Sequence, residues 1–166
     1  PKIDWSHHDF RNIDIDTFIP ATKLLINDGY KVIRIGNIVD KKMSFKHENF
    51  IDYPYTEYVS DFMDIFIQAK SNFCISTSSG IDCITSMFRK KVVFPCLCPI
   101  LDTKSSTSNH LLGYRHIVDK KSGKKLSLTE IIDKNLGFVF YDDKNYDDIA
   151  LEPVDPLQIE SVVKDM

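Results

Sequence analysis

Residues 73–94 decide the fold: Phe73-Cys74-Ile75-Ser76-Thr77-Ser78-Ser79-Gly80-Ile81-Asp82-Cys83-Ile84-Thr85-Ser86-Met87-Phe88-Arg89-Lys90-Lys91-Val92-Val93-Phe94. Phe73 to Ser76 is a short apolar run of the kind that makes a buried strand. Ser78-Ser79-Gly80 turns the chain into a helix carrying Ile81, Ile84 and Phe88 at i, i+3 and i+7, with Lys90 and Lys91 at its basic end. Val92-Val93-Phe94 is the next strand, and Pro95 is expected to stop it. Two short apolar strands joined through a helix make a βαβ unit, whose strands run parallel.

The alternation continues on both sides. Upstream, Thr17 or Asp16 caps a helix running to about Asp28, with Phe18, Ala21 and Leu25 on one face and Pro20 in the first turn. Gly29 ends it, and Lys31 to Ile35 reads as a strand ending at Gly36. A polar loop spans about 37–57, and Ser60 opens a helix to Ala69 whose apolar face is Phe62, Ile65, Phe66 and Ala69. Downstream lies a long loop over about 97–125, rich in Ser and Thr from Thr103 to Ser108. Then come a helix over 126–135 capped by Ser127 or Thr129, a strand at Phe138-Val139-Phe140, and a terminal helix opened by Asp155-Pro156. The expected architecture is an α/β, three-layer Rossmann-like domain with a mostly parallel sheet covered on both faces.

At 166 residues and 19.2 kDa, the chain fits one domain over residues 1–166. Lys and Arg total 21 against 24 Asp and Glu, a net charge of −3, which argues against a domain built to neutralise nucleic-acid phosphates. With 43% hydrophobic and 27% charged residues, the composition suits a chain that buries a core. The longest nearly apolar run, Val92 to Leu101, is interrupted by Pro95 and Pro99 and is too short to span a membrane. The chain opens at Pro1 in loop-like sequence, so it is expected to be a fragment of a longer two-domain protein. Cys74, Cys83, Cys96 and Cys98 have apolar neighbours and read as small buried hydrophobes in a reducing compartment. Cys96-Leu97-Cys98 lacks metal-ligand spacing, so no metal is expected.

Ligands of parallel α/β sheets bind outside the carboxyl ends of the strands. Ser78, Ser79 and Gly80 stand at one such end, where a helix start offers unpaired amides and the positive end of its dipole. The same residues also suit a plain helix cap. Neither a Walker A loop nor a G-x-G-x-x-G sequence is present. Arg34 and Gly36 end another strand, and the Arg34 guanidinium could clamp phosphate oxygens in bidentate fashion or pair with a local carboxylate such as Asp40. His7-His8-Asp9-Phe10-Arg11-Asn12 is a dense polar group before the first helix, suited to donor contacts or a general base, or else a solvated loop. The pairs Asp142-Asp143 and Asp147-Asp148 lack an EF-hand spacing and read as solvated turns. Lys120, Lys121, Lys124 and Lys125 around Ser122-Gly123 read as an exposed turn.

His8-x-Phe10-Arg11-Asn12, Gly29-Tyr30-x-Val32-Ile33-Arg34-Ile35-Gly36 and Ser76-x-Ser78-Ser79-Gly80 together resemble a family of bacterial glycosyltransferases found with surface-polysaccharide genes. The resemblance runs from about Asp4 to Asp133, and its specificity lies in motif order and spacing. It implies a GT-B arrangement whose carboxyl-terminal Rossmann-like half holds a nucleoside-diphosphate sugar. Ser78, Ser79 and Gly80 would then meet the diphosphate, with Arg34 and Arg11 neutralising it and Asn12 and Gly36 beside them. The resemblance further implies a saccharide or lipid-linked acceptor, reached through an amino-terminal domain not included in this sequence, with no metal or other cofactor. It implies a cytoplasmic location, peripheral to the inner face of the membrane. The fragment alone is expected to be inactive. The alternatives are a nucleotide-sugar epimerase of similar fold and a non-catalytic α/β interaction or sensory module.

Overall fold

The computed structural model describes residues 6–100, 109–137 and 147–166. In chain order it contains α1 (Ile19–Asn27), β1 (Val32–Arg34), β2 (Phe50–Asp52), α2 (Asp61–Lys70), β3 (Phe73–Ile75), α3 (Asp82–Met87), β4 (Lys91–Leu97) and β5 (His110–Tyr114). These are followed by β6 (Ile117–Asp119), α4 (Leu128–Asp133), β7 (Ile149–Leu151) and α5 (Pro156–Lys164). The chain is an α/β fold with open parallel sheets. β3, β4 and β5 form a parallel sheet in that order, β1 pairs in parallel with β2, and β6 and β7 make a small antiparallel pair.

β4 is the centre because both of its faces are apolar. Val93 is fully buried against Ala21 and Leu25 of α1 and Ile159 and Val163 of α5, with Val32, Phe73, Ile75 and Leu111 packed around the same cluster. Val92, Phe94 and Leu97 point the other way, onto Cys74, Leu112 and Tyr114. On that second face Cys74, Val92 and His110 sit in register across the sheet, and Ser86 of α3 lies 3.3 Å from the His110 ring. Helices therefore cover opposite faces of the parallel sheet, α1 and α5 on one side and α3 on the other. A second cluster of Ile117, Leu126, Ile131, Leu136 and Ile149 forms the core around β6, β7 and α4.

Several expectations need correction. The expected polar loop over about 37–57 contains β2, which pairs in parallel with β1. Pro95 does not stop β4. The strand continues to Leu97 through a shift of register between Phe94 and Leu97, where the missing amide of Pro95 falls at an irregularity of the ladder. That shift returns Leu97 to the face of Phe94 despite its odd spacing. The long downstream loop contains β5 and β6. Gly113 lets β5 approach, since a Cβ there would stand 2.7 Å from the Pro95 carbonyl oxygen. α1 begins later than expected, after a single turn of 3-10 helix (Ile15–Phe18) capped by Asp14, although Pro20 and Gly29 (φ +88°) stand where expected. The expected strand 138–140, the Asp142-Asp143 pair, the Thr103–Ser108 segment and the side chains of His7 and His8 lie outside the described residues.

The caps of the later helices follow the sequence. Ser60 accepts the Met63 amide at the start of α2, and Asp155 accepts the Leu157 amide before Pro156. Ser127 and Glu130 close a reciprocal capping box on α4. α2 holds a reversal, however. Its expected apolar face is turned outward, with Phe62 70% exposed and Ile65 and Phe66 also exposed, while Gln68 is buried.

Candidate functional site

The carboxyl ends of β1 and β3 gather the expected site residues. β3 ends at Ile75, and residues 76–81 form a tight turn before α3. Ser76 Oγ donates 2.7 Å to the buried Asp82 carboxylate and accepts the Ser78 amide at 3.0 Å. This relay holds Ser78 at φ +66°, a left-handed conformation that costs a non-glycine residue on the order of 1 kcal/mol. The Ser78 carbonyl oxygen then accepts a 3.0 Å hydrogen bond from Arg11 Nη1.

Arg11 is held from both sides. Its guanidinium lies 5.3 Å from the Phe10 ring centroid, and the Phe10 carbonyl accepts from Arg115 Nη1 at 3.0 Å. Arg115 is itself anchored by Nε to the Glu152 carbonyl at 2.8 Å. Among the described residues Arg11 Nε has no hydrogen-bond partner, and it is closed off from solvent.

A cleft of about 340 Å³ opens at the end of β1, lined by Asn12, Ile13, Asp14, Ile15, Arg34, Asp40 and Lys41. It brings Asn12 and Arg34 together. The carboxylate partner of Arg34 is Asp52 of β2, in place of the Asp40 suggested by the sequence: Nη1 lies 3.2 Å from Oδ1 and 2.7 Å from the Lys41 carbonyl. Every hydrogen bond of Arg34 among the described residues leaves from Nη1, which spares Nε and Nη2 for a ligand. Asn12 donates to Asp9 Oδ1 at 2.9 Å. Lys41 bonds Asp14 at 2.7 Å and Asp16 at 3.0 Å. The Lys41 bond holds the Asp14 carboxyl below the usual carboxylate range; for Asp16, the Ser44 amide at 2.8 Å and then Lys41 do the same. Gly36 sits at φ +155°, where a Cβ would fall 2.9 Å from Val39 Cγ1, so its role in closing this turn is steric.

The start of α3 differs from expectation in two respects. α3 is only six residues long, and the Asp82 carboxylate occupies its first turn, which weakens any attraction of its dipole for an anion. The positive groups that stand at this edge are the guanidinium groups of Arg11 and Arg34. Gly80 is not in a left-handed conformation, and the space where its Cβ would stand is open to 4 Å. The strained residue is Ser78.

Three of the four thiols are held protonated by burial. Burial pushes Cys96 and Cys98 up to about 12, against a smaller opposing pull from Arg115, and pushes Cys74 up to about 11. Cys83 is exposed, contrary to the buried reading. The basic stretch 120–125 forms the expected exposed turn, with Asp119 accepting the amides of Lys121 and Ser122 and Gly123 at φ +68°.

Asp82 and Arg115 are the residues that sequence reasoning missed. Asp82 stood inside a helical pattern, and Arg115 follows a strand hidden in an apparent loop; neither carried a motif. Among the described residues, no cluster of three His, Cys, Asp or Glu side chains could hold a metal ion, and no helix is long and apolar enough to cross a membrane. Comparison of the chain with protein-family models, curated proteins and solved structures finds no match.

Proposed function

We propose that the chain is the donor-binding part of a nucleotide-sugar glycosyltransferase, on a three-layer Rossmann-like domain similar to the carboxyl-terminal half of a GT-B enzyme. The observation that carries this reading is the meeting of Arg11 with the Ser76–Gly80 turn beside the Arg34 and Asn12 cleft, at the carboxyl ends of parallel strands. Two guanidinium groups suit a diphosphate, which offers paired oxygens to planar forks, and among the described residues Arg34 bonds only through Nη1. In the reaction, an acceptor hydroxyl attacks the anomeric carbon, the bond from that carbon to the phosphate oxygen breaks, and the nucleoside diphosphate leaves with the electron pair. Arg11 and Arg34 stabilise the growing negative charge on the leaving group, an electrostatic role that often contributes more to catalysis than any other. The acceptor is held by another part of the full enzyme, which works at the cytoplasmic face in surface-polysaccharide synthesis.

Thermal melts with nucleoside diphosphates such as UDP, GDP and CDP, against the matching nucleosides, test the reading. Stabilisation by diphosphates but not nucleosides is expected, worth about 2.7 kcal/mol at a hundredfold excess over Kd. No stabilisation by any diphosphate would remove the proposal and leave an α/β interaction module.

A further inference from the structure

α2 is built inside out. Its inward face presents Gln68, only 2% exposed, which accepts a hydrogen bond from the buried hydroxyl of Thr85 on α3. Its outward face presents Phe62, Ile65 and Phe66, with the two phenyl rings stacked at 5.8 Å, and α3 beside it ends in exposed Met87 and Phe88. A surface helix normally turns its apolar stripe to the core. With an aromatic side chain worth roughly 150–250 Å² when fully buried, the exposed parts of these five side chains come to on the order of 500 Å². That is a large share of the roughly 800 Å² per partner of a standard interface, and it reaches the roughly 300–600 Å² of the largest apolar patch on a typical monomer, which is often functional.

The charges around the stripe say what covers it. Both helices start at the carboxyl edge of the parallel sheet, because α2 feeds the first residue of β3 and α3 feeds the first residue of β4. The carboxyl edge of the patch is acidic, with exposed Glu57 and Asp61, and the amino edge is basic, with exposed Lys70, Arg89 and Lys91. Such a face complements itself when turned end for end. The spacing along α2 does the same. About a two-fold axis passing between Ile65 and Phe66, Phe62 of one copy stands opposite the small Ala69 of the other, and Ile65 of each copy stands opposite Phe66 of the other. Each acidic end then lies at the other copy's basic end, as an isologous interface requires.

We propose that the outward face of α2 and the end of α3 form the interface of a two-fold homodimer, with the α2 helices antiparallel. Sedimentation equilibrium or light scattering of the chain from about 1 µM to about 500 µM tests this. The expected result is a concentration-dependent rise to twice the 19.2 kDa monomer mass, weakened by salt. Phe62→Glu with Phe66→Glu should hold the protein at monomer mass with an unchanged circular-dichroism spectrum, since Phe62 is 70% exposed and Phe66 42%. Copies carrying Asp61→Lys and copies carrying Lys70→Glu with Arg89→Glu should each dimerise more weakly than wild type, and an equimolar mixture should recover the dimer mass. A wild-type monomer throughout the range, or a dimer that survives the double glutamate change, overturns the proposal. Open-ended aggregates overturn it too, because a two-fold interface closes. Failure of the mixture to recover the dimer overturns the antiparallel pairing.

Discussion

The Nη1 of Arg11 donates a 3.0 Å hydrogen bond to the carbonyl oxygen of Ser78, joining the chain before α1 to the turn after β3 across 67 residues. Arg11 is therefore fixed where the turn opens, and Phe10, held by Arg115, fixes its other side. Replacing Arg11 by Ala should weaken nucleoside-diphosphate binding by about tenfold to a hundredfold, the 1.5–3 kcal/mol of a charge-assisted hydrogen bond. Arg11→Lys should recover only part, because an ammonium restores the charge without the planar fork. Titration calorimetry on the folded variants measures both; unchanged affinity in Arg11→Ala would take Arg11 out of the site.

Gly80 and Ser79 separate ligand contact from folding. Gly80 needs no glycine dihedral, and nothing stands within 4 Å of where its Cβ would be, so Gly80→Val should melt close to wild type without ligand. If the diphosphate approaches this turn, the added side chain occupies its space and the ligand-induced stabilisation disappears. Ser79→Ala should only diminish it. Melts with and without UDP or GDP give the answer, and full stabilisation in Gly80→Val would move the phosphate elsewhere.

Most of the parallel core was legible because its signals are local. Phe73–Ile75, Val92–Phe94 and the helix between them carry apolar spacing that only a βαβ unit satisfies, and Ser60, Ser127 and Asp155 cap the helices that their positions announce. β2 and β5 were not legible. Phe50–Asp52 is three residues long inside a polar stretch, and β5 contains Gly113, which weakens a strand pattern but here permits the approach to Pro95. Of the candidate site, the strand-end residues were legible and their supports were not. Asp82 beneath the turn and Arg115 behind Phe10 act through tertiary contacts that no spacing encodes. The stripe of α2 marked a helix correctly, because periodicity specifies which residues share a face and not which way that face turns.

Gly113 supplies a packing test of the β4 irregularity. A methyl group there would meet the Pro95 carbonyl oxygen at 2.7 Å and Val162 Cγ2 at 3.0 Å, and the nearer of these is backbone that cannot rotate away. Gly113→Ala should therefore destabilise by about 1–3 kcal/mol, the usual range for overpacking. Urea denaturation measures it. A neutral substitution would mean that β5 can move away from Pro95 at little cost.

Arg34 and Asp52 form a pair whose side chains are 11% and 16% exposed, so removing either partner leaves a poorly hydrated charge. Asp52 also accepts the Met43 amide at 3.0 Å, which makes it the more connected of the two. Arg34→Met should cost about 1–3 kcal/mol and Asp52→Asn more, with the double variant less destabilised than the sum. A double-mutant cycle in urea reads the coupling directly. Additive effects would show that the pair is spectators in contact, and would return Arg34 wholly to the cleft.

Glu130 gives the fold a defined acid sensitivity. Its carboxylate accepts from Lys124 Nζ at 2.7 Å and from the Ser127 amide at 2.8 Å and hydroxyl at 2.9 Å, which together hold it down to about 2 from an ordinary 4.5. A group whose folded-state pKa is depressed contributes stability that is fully present above its unfolded value and is lost as pH falls through the folded one. The contribution of Glu130 should thus be complete above about pH 4.5 and fade toward pH 2. Asp14, Asp16 and Asp119 are also held low, so the whole protein will lose stability in acid. The diagnostic quantity is therefore the difference between wild type and Glu130→Gln. That difference in melting temperature should be largest near neutral pH, shrink below about pH 4.5, and close near pH 2. Raised salt should reduce the share that comes from Lys124, which is solvent-exposed, and leave the share from the Ser127 amide. A difference that stays constant from about pH 7 to about pH 2 would show that the glutamate acts through its packing and not through its charge.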